Sequence, residues 1–473
     1  MRESTESSSP LRALPAVDAV LRAERFRRLL VLVGHDSLAG MVRHALELRR
    51  QELLMGEPLA SKPAAEIERL ARIVERRLEE RDRMRVRRVI NATGIILHTG
   101  LGRAVYAESV VDAVGRELSG YTTLEIDPET GTRGRREQWV TERLVERTGA
   151  EAALVVNNNA AATLLMLRAL AFGREVLVAR GELVEIGGSY RMPDVMEASG
   201  ARLVEVGATN RVYVRDYERR LGPETGLIVQ VHTSNFRVVG FHHHPPLSEL
   251  VALGRKHQVP VVWDLGSGLL LPAETVGIEG EPTVAEGLAA GADLICFSGD
   301  KLLGGPQSGI LLGRSDLIEE LRQDPLYRAV RLDKFSLLAL GETLDLYKSE
   351  EQALREIPTL AMLSADVAQV EQRARRLEDL IRQKHAEAPV AVVRSEAQAG
   401  SGSVPGRHLP SWALSVSPGE RSAAALARGL RLQALPVFGR VHQDRLLLDL
   451  RTVRDEDLKE LAAAVVAVLE DNE

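Results

Sequence analysis

The sequence predicts an α/β protein with a mostly parallel central sheet, a small helical N-terminal domain and a small α+β C-terminal domain. Three observations predict it. Between residues 151 and 313, seven short apolar runs rich in β-branched residues alternate with helical stretches, as strands do when crossover helices join them. Residues 1–85 repeat their apolar residues with helical spacing. After residue 395 two strand-like runs are separated by a helical one.

Residues 1–9 are polar and Ser-rich, the composition of a disordered end. Helical spacing covers 16–33 and 38–53, and 61–88 opens with the helix-start residues Ser61, Pro63 and Glu66. The predicted domains are 1–85, 86–345 and 346–473. Strands are expected at 151–156, 174–179, 201–206, 226–232, 259–264, 292–298 and 308–313. Helices are expected at 160–170, 193–199, 247–257 and 284–290, and 315–386 reads mostly helical. The stretch SEAQAGSGSVPGRHLP, 395–410, reads as a loop. WALSVS and RLLLDL are strand-like after it, with helices at 420–431 and 455–469.

Composition narrows the function. No run approaches the roughly 20 apolar residues that span a bilayer, and the first residues lack the apolar stretch of a secretory signal. The single cysteine, Cys296, excludes a disulfide framework and a cysteine-rich zinc site. A cytoplasmic protein is expected. Residues 1–88 carry 19 Lys and Arg against 14 Asp and Glu, a surplus of five positive charges. The whole chain is at −6, so the rest carries a surplus of eleven negative charges. A basic front on an acidic body suits either a nucleic-acid-binding appendage or a solvated charged helix. There are seven lysines against 54 arginines, so lysine chemistry has few places to go.

Four segments carry candidate chemistry, each at the end of a predicted strand, where ligands bind in such sheets. Lys301, in FSGDKLLGGPQSG, follows an apolar run and precedes Gly304 and Gly305. A desolvated amine there has a lowered pKa and suits Schiff-base formation; the ordinary alternative is a surface lysine in a turn. Asp264 ends VVWD 37 residues earlier, about one strand–crossover–strand unit. A carboxylate so placed can pair with a pyridinium nitrogen; it can also simply cap a helix. In VVNNNAAATLL, Asn158, Asn159 and Ala160 open a helix whose N–H groups suit a phosphate, with Ser298 as a further donor; the alternative is a plain N-cap. Ser234 and Asn235, in VHTSNFR, suit a phenolic oxygen or a turn. The run His242–His244 is tempting for a metal, but adjacent residues diverge and no partner is evident, so none is expected.

The order of these segments (phosphate loop, polar strand end, aspartate, lysine) resembles the fold-type I pyridoxal-phosphate enzymes. Over nearly the whole chain the sequence also resembles the bacterial selenocysteine synthase family. The segments that carry this are LPAVDAVL (14–21), RRVINATGIILHTGLGRA (87–104), ETGTRGRRE (129–137), RGELVEIGGSYRMPDVM (180–196), VHTSNFRVVGF (231–241), FSGDKLLGGPQSGI (297–310) and DPLYRAVRLDK (324–334). The resemblance implies pyridoxal 5'-phosphate on Lys301 and conversion of seryl-tRNA(Sec) to selenocysteinyl-tRNA(Sec). It implies an aldimine and a dehydroalanyl intermediate, with selenophosphate as selenium donor. It implies that Arg103, Arg328 and Arg331 hold that anion; the last two share a helix face if their segment is helical. Asp300 matches a position that assists loss of the seryl hydroxyl. It further implies a homodecamer of five dimers. The basic surplus and separate helical pattern of residues 1–85 suggest that they grip the tRNA. A related lyase acting on a small amino acid or amino sugar is the alternative. It would have no use for a basic domain of some 85 residues. A non-enzymatic RNA-binding protein is disfavoured by the lysine and the phosphate loop.

Overall fold

Residues 10–60, 62–83, 85–188, 190–400 and 403–471 are described by a computed structural model of the chain, which separates into two units between Arg88 and Val89. The Ser-rich stretch 1–9 lies outside the described residues.

In the first unit, α1 (Val17–Arg22), α2 (Glu24–Val33), α3 (His35–Leu54) and α4 (Pro63–Arg83) surround a core that includes Val20, Phe26, Leu38, Val42, Leu70 and Val74. The single helix expected over 16–33 is broken at Ala23, whose backbone is extended (φ −64°, ψ 142°) and whose N–H closes on the Val20 carbonyl. The bend lets Val20 and Leu21 of α1 and Phe26 of α2 reach one core. Arg49 is fully buried and donates to Glu66 (2.6 Å), Glu52 (2.9 Å) and the Pro58 carbonyl (2.6 Å), which ties α3 to the start of α4. Removing Glu66 alone would strand a buried charge, a costly change.

The second unit is organised by a seven-stranded sheet. Its strands are β1 (Ala152–Val156), β2 (Glu175–Ala179), β3 (Arg202–Val206), β4 (Thr225–Val231), β5 (Val261–Gly266), β6 (Leu294–Ser298) and β7 (Gly309–Gly313), in the order β1-β7-β6-β5-β4-β2-β3. Each lies within two residues of its predicted place. All neighbours pair parallel except β7, which is antiparallel to both β6 and β1. Both faces are covered: Ile295 and Phe297 of β6 enter one apolar core, Leu294 and Cys296 the other. Burial on both faces makes these strands read as continuous apolar runs.

A second sheet contains β8 (Val390–Gly400), β9 (Leu409–Val416), β10 (Arg440–His442) and β11 (Arg445–Asp449), in the order β10-β11-β9-β8, and the strand Ile95–Leu97 extends it beside β8. This corrects the loop expected over 395–410. Residues 395–400 continue β8 and 409–410 begin β9, with Ala397 paired to Leu409. The small residues hid the strand: Ala397 and Ala399 are buried while Glu396 and Gln398 are exposed, a period of two carried by alanine and not by large apolar side chains. Among the described residues no helix is long and apolar enough to cross a membrane.

Candidate active site

The carboxyl ends of β1, β4, β5 and β6 converge on a cavity of about 300 Å³. Lys301 lies in the turn after β6 and is 6% exposed, and Asp264 on β5 is equally buried. Gly266 forms the floor between them. A side chain there would begin 4.0 Å from Lys301 Nζ, 4.0 Å from Asp264 Oδ1 and 3.9 Å from Ser234 Oγ, so these three atoms face one point. Gly266 also has φ +72°, which disfavours any other residue.

Asn159 Nδ2 donates to Asp264 Oδ1 at 2.9 Å, which ties the start of α5 (Asn159–Ala171) to β5. Asn158 is the N-cap of α5, its side chain accepting from the Ala161 N–H at 2.8 Å. Asn158, Asn159 and Ala160 all line the cavity, so the positive end of α5 faces it. Asn159 Oδ1 is buried without a partner among the described residues. Burial pushes the Lys301 ammonium below its ordinary pKa, with Asp264 pulling it back. Burial likewise pushes the Asp264 carboxyl up, while Asn159 and Lys301 hold it down. The site thus favours a free amine on Lys301 at lower pH than an exposed lysine would allow.

Arg103 reaches the same cavity from a left-handed backbone position (φ +62°) and donates to Asp300 Oδ2 at 2.7 Å. Ser234 and Ser298 also line it. Asn235 is placed differently: its amide donates to the Glu185 carbonyl at 2.6 Å and lines a neighbouring cavity. Arg328 and Arg331 do not share a helix face. The helix α6 (Pro325–Val330) ends before Arg331, whose ψ of 139° turns the chain out. Arg331 bridges to Val156, and the Val330 carbonyl accepts from the Asn157 N–H, so this segment lies along the phosphate-type loop without lining the Lys301 cavity.

Sequence reasoning passed over His232, Tyr190 and Glu281. His232 and Tyr190 line the cavity. His232 lies 3.9 Å from the buried Glu281, whose other oxygen accepts the Val404 N–H. Burial, then Lys301, lowers the His232 pKa to about 4, so the ring is neutral at pH 7. Its place at the end of β4, two residues before Ser234, was a usable signal; Glu281 comes from a loop and had none. His242–His244 point to separate partners: the Gly240 carbonyl, the Tyr213 ring and Glu182.

Gly309 on β7 is packed against the loop that opens α5. A Cβ there would stand 2.2 Å from the Asn158 carbonyl oxygen. Gly309→Ala is therefore expected to displace Asn158 and Asn159, costing about 1–3 kcal/mol in stability. Thermal unfolding and phosphate-ester affinity should fall together.

The family signature described as L-seryl-tRNA selenium transferase matches residues 89–454, and that described as selenocysteine synthase N terminal matches residues 11–50. The L-seryl-tRNA(Sec) selenium transferase of Moorella thermoacetica is 47% identical over 466 residues, covering 98% of each chain. That of Geotalea daltonii is 46% identical, covering 97% of this chain and 99% of its own. Among solved structures, D-glucosaminate-6-phosphate ammonia-lyase aligns with a TM-score of 0.57 at 20% identity, over 81% of this chain and 96% of its own. That likeness concerns the fold, which is the fold-type I architecture. With both signatures in place, the chain belongs to the L-seryl-tRNA selenium transferase family.

Proposed function

We propose that this chain converts seryl-tRNA(Sec) to selenocysteinyl-tRNA(Sec) in the cytoplasm, using pyridoxal 5'-phosphate and taking selenium from selenophosphate. The observation that carries the reading is a buried lysine with a depressed pKa facing the same point as a buried aspartate, in a chain whose family works on seryl-tRNA. Pyridoxal phosphate suits the cavity: the unpartnered Asn159 Oδ1, the α5 N-terminus and the open space over Gly266 offer what a phosphorylated aromatic aldehyde needs. When bound, it withdraws electrons from the Cα of the attached amino acid and so acidifies that proton.

Lys301 Nζ would hold the aldehyde carbon and, once displaced by the seryl amine, take the Cα proton. Asp264, fixed by Asn159, would face the ring nitrogen and keep it protonated. Asn158, Asn159, Ala160 and Ser298 would hold the phosphate, and Ser234 the phenolic oxygen. Asn235 then acts through its grip on the Glu185 carbonyl. Asp300, positioned by Arg103, would assist departure of the seryl hydroxyl.

Arg103, Arg328 and Arg331 are proposed to hold selenophosphate, with Arg331 supplying a buried Nε–H that has no partner among the described residues. Arg331→Gln is expected to slow selenium addition roughly ten- to a hundred-fold, about 1.5–3 kcal/mol for one charge-assisted contact. Cofactor absorbance should be unchanged. If it is lost, the arginine belongs to the pyridoxal site. The exposed arginines of α2, α3 and α4, such as Arg27, Arg28, Arg43, Arg72 and Arg77, support tRNA binding by the helical unit. Assembly as a homodecamer of five dimers is part of the proposal. The exposed Val239 and Phe241 in the loop after Asn235 support a partner there. The deciding experiment incubates the protein with seryl-tRNA(Sec), pyridoxal phosphate and selenophosphate, then identifies the amino acid released from the tRNA. Serine alone would refute the reading.

A further inference from the structure

Beside the Lys301 cavity lies a larger one of about 500 Å³, bounded by the strand Ile95–Leu97, the end of β8 and the segment 403–408. The two share Ser234, so they adjoin. Its volume falls within the ~300–1,000 Å³ usual for small-ligand sites. Among its polar side chains are His98, Thr99, Asn235, Gln398 and His408. His98 Nδ1 is buried and has no partner among the described residues. The arginine at its rim, Arg407, is held by the Glu279 carboxylate and carbonyl. Such a lining offers hydrogen bonds and flat imidazole faces and lacks a free phosphate clamp.

The substrate's own covalent structure says what must sit there. The seryl group is esterified to a ribose hydroxyl of the last nucleoside of the RNA. With the seryl amine at Lys301, that ribose is only a few bonds away. It must occupy space next to the Lys301 cavity. A second adjoining cavity, of about 420 Å³, shares Val231 and His232. It is lined by Gln230 and Trp263, which are register partners on β4 and β5. It is also lined by the buried Glu182. The 500 Å³ cavity shares Ser234, whose Oγ faces the same point as Lys301 Nζ.

We propose that this cavity is the subsite for the 3'-terminal nucleoside of the aminoacylated RNA, with a histidine ring available to the base face and Gln398, Asn235 and Thr99 to its edge and ribose. Single-stranded RNA ends are held in this way, by stacking and by hydrogen bonds to exposed base edges and the 2'-hydroxyl. The inference rests on the seryl-tRNA reading above. It adds a reason why a free amino acid would be a poor substrate: half of the recognised group would be missing.

The test compares two probes on the full-length holoenzyme by calorimetry: 3'-deoxy-3'-serylaminoadenosine, a stable mimic of the tRNA end, and serinamide. The nucleoside probe should bind at least about ten-fold tighter. Gln398→Ala and His98→Ala should each erase most of that preference, and raise KM for seryl-tRNA(Sec) with little change in kcat. Cofactor absorbance should be unaltered. Gln398 is an exposed strand residue, so its variant tests the site even if the His98 variant folds poorly. Equal binding of the two probes, or a preference that survives in Gln398→Ala, overturns the subsite. If wild-type protein turns over seryl-tRNA(Sec) while showing no preference, the subsite alone fails. If it does not turn over seryl-tRNA(Sec), the parent reading fails and the subsite with it.

Discussion

Replacing Lys301 with alanine is expected to lower turnover by about 10³-fold or more, since a positioned general base alone is worth roughly 10²–10⁴. It should also abolish covalent retention of the cofactor. Borohydride reduction of the wild-type holoenzyme, followed by peptide mapping, should place the label on Lys301. The other six lysines (Lys62, Lys256, Lys334, Lys348, Lys384 and Lys459) are all exposed. Lys301 alone among the seven is buried, and burial lowers its pKa, which favours the free amine the chemistry needs. Its ammonium is depressed, so the arm of the pH–rate profile that reports the lysine should lie below the ordinary value of about 10.4. A label on any other lysine would sink the assignment. Asp264→Ala should separate two functions: catalysis should fall steeply while cofactor stays bound, because the contacts at the start of α5 remain.

Deleting residues 1–88 is expected to remove most of the affinity for tRNA(Sec), by about 10²-fold or more at moderate salt, where several phosphate contacts dominate binding. The remaining protein should still fold and bind pyridoxal phosphate. Every proposed cofactor residue lies beyond position 150, and the first unit has a hydrophobic core of its own. Fluorescence anisotropy with labelled tRNA(Sec) over a salt series checks this. The intact protein should show a steep loss of affinity with salt and the truncated protein a shallow one. Equal affinity of the two would refute the role given to the helical unit and favour a small-molecule substrate.

Much of this was legible in the residues themselves. Wherever a strand is buried on both faces, as β6 is, its apolar run declares it, and the seven runs from 151 to 313 all became strands of one sheet. The placement of the residues proposed for chemistry was legible for the same reason: Asp264, Lys301 and the Asn158–Ala160 turn each follow an apolar strand run, and the sheet brings those ends to one cavity. What depended on neighbours distant in sequence was not legible. The strand through Ser395–Gly400 is specified by pairing with β9 and with Ile95–Leu97, not by its small side chains. The break at Ala23 answers to a shared core, and the turn at Arg331 to its bridge with Val156. Arg103 and Asp300 meet across 197 residues, and Glu281 reaches His232 from a loop. Local propensity and burial pattern are written along the chain and so determine elements and their order. The contacts that aim a side chain are made only when remote segments pack, and tertiary structure alone decides them.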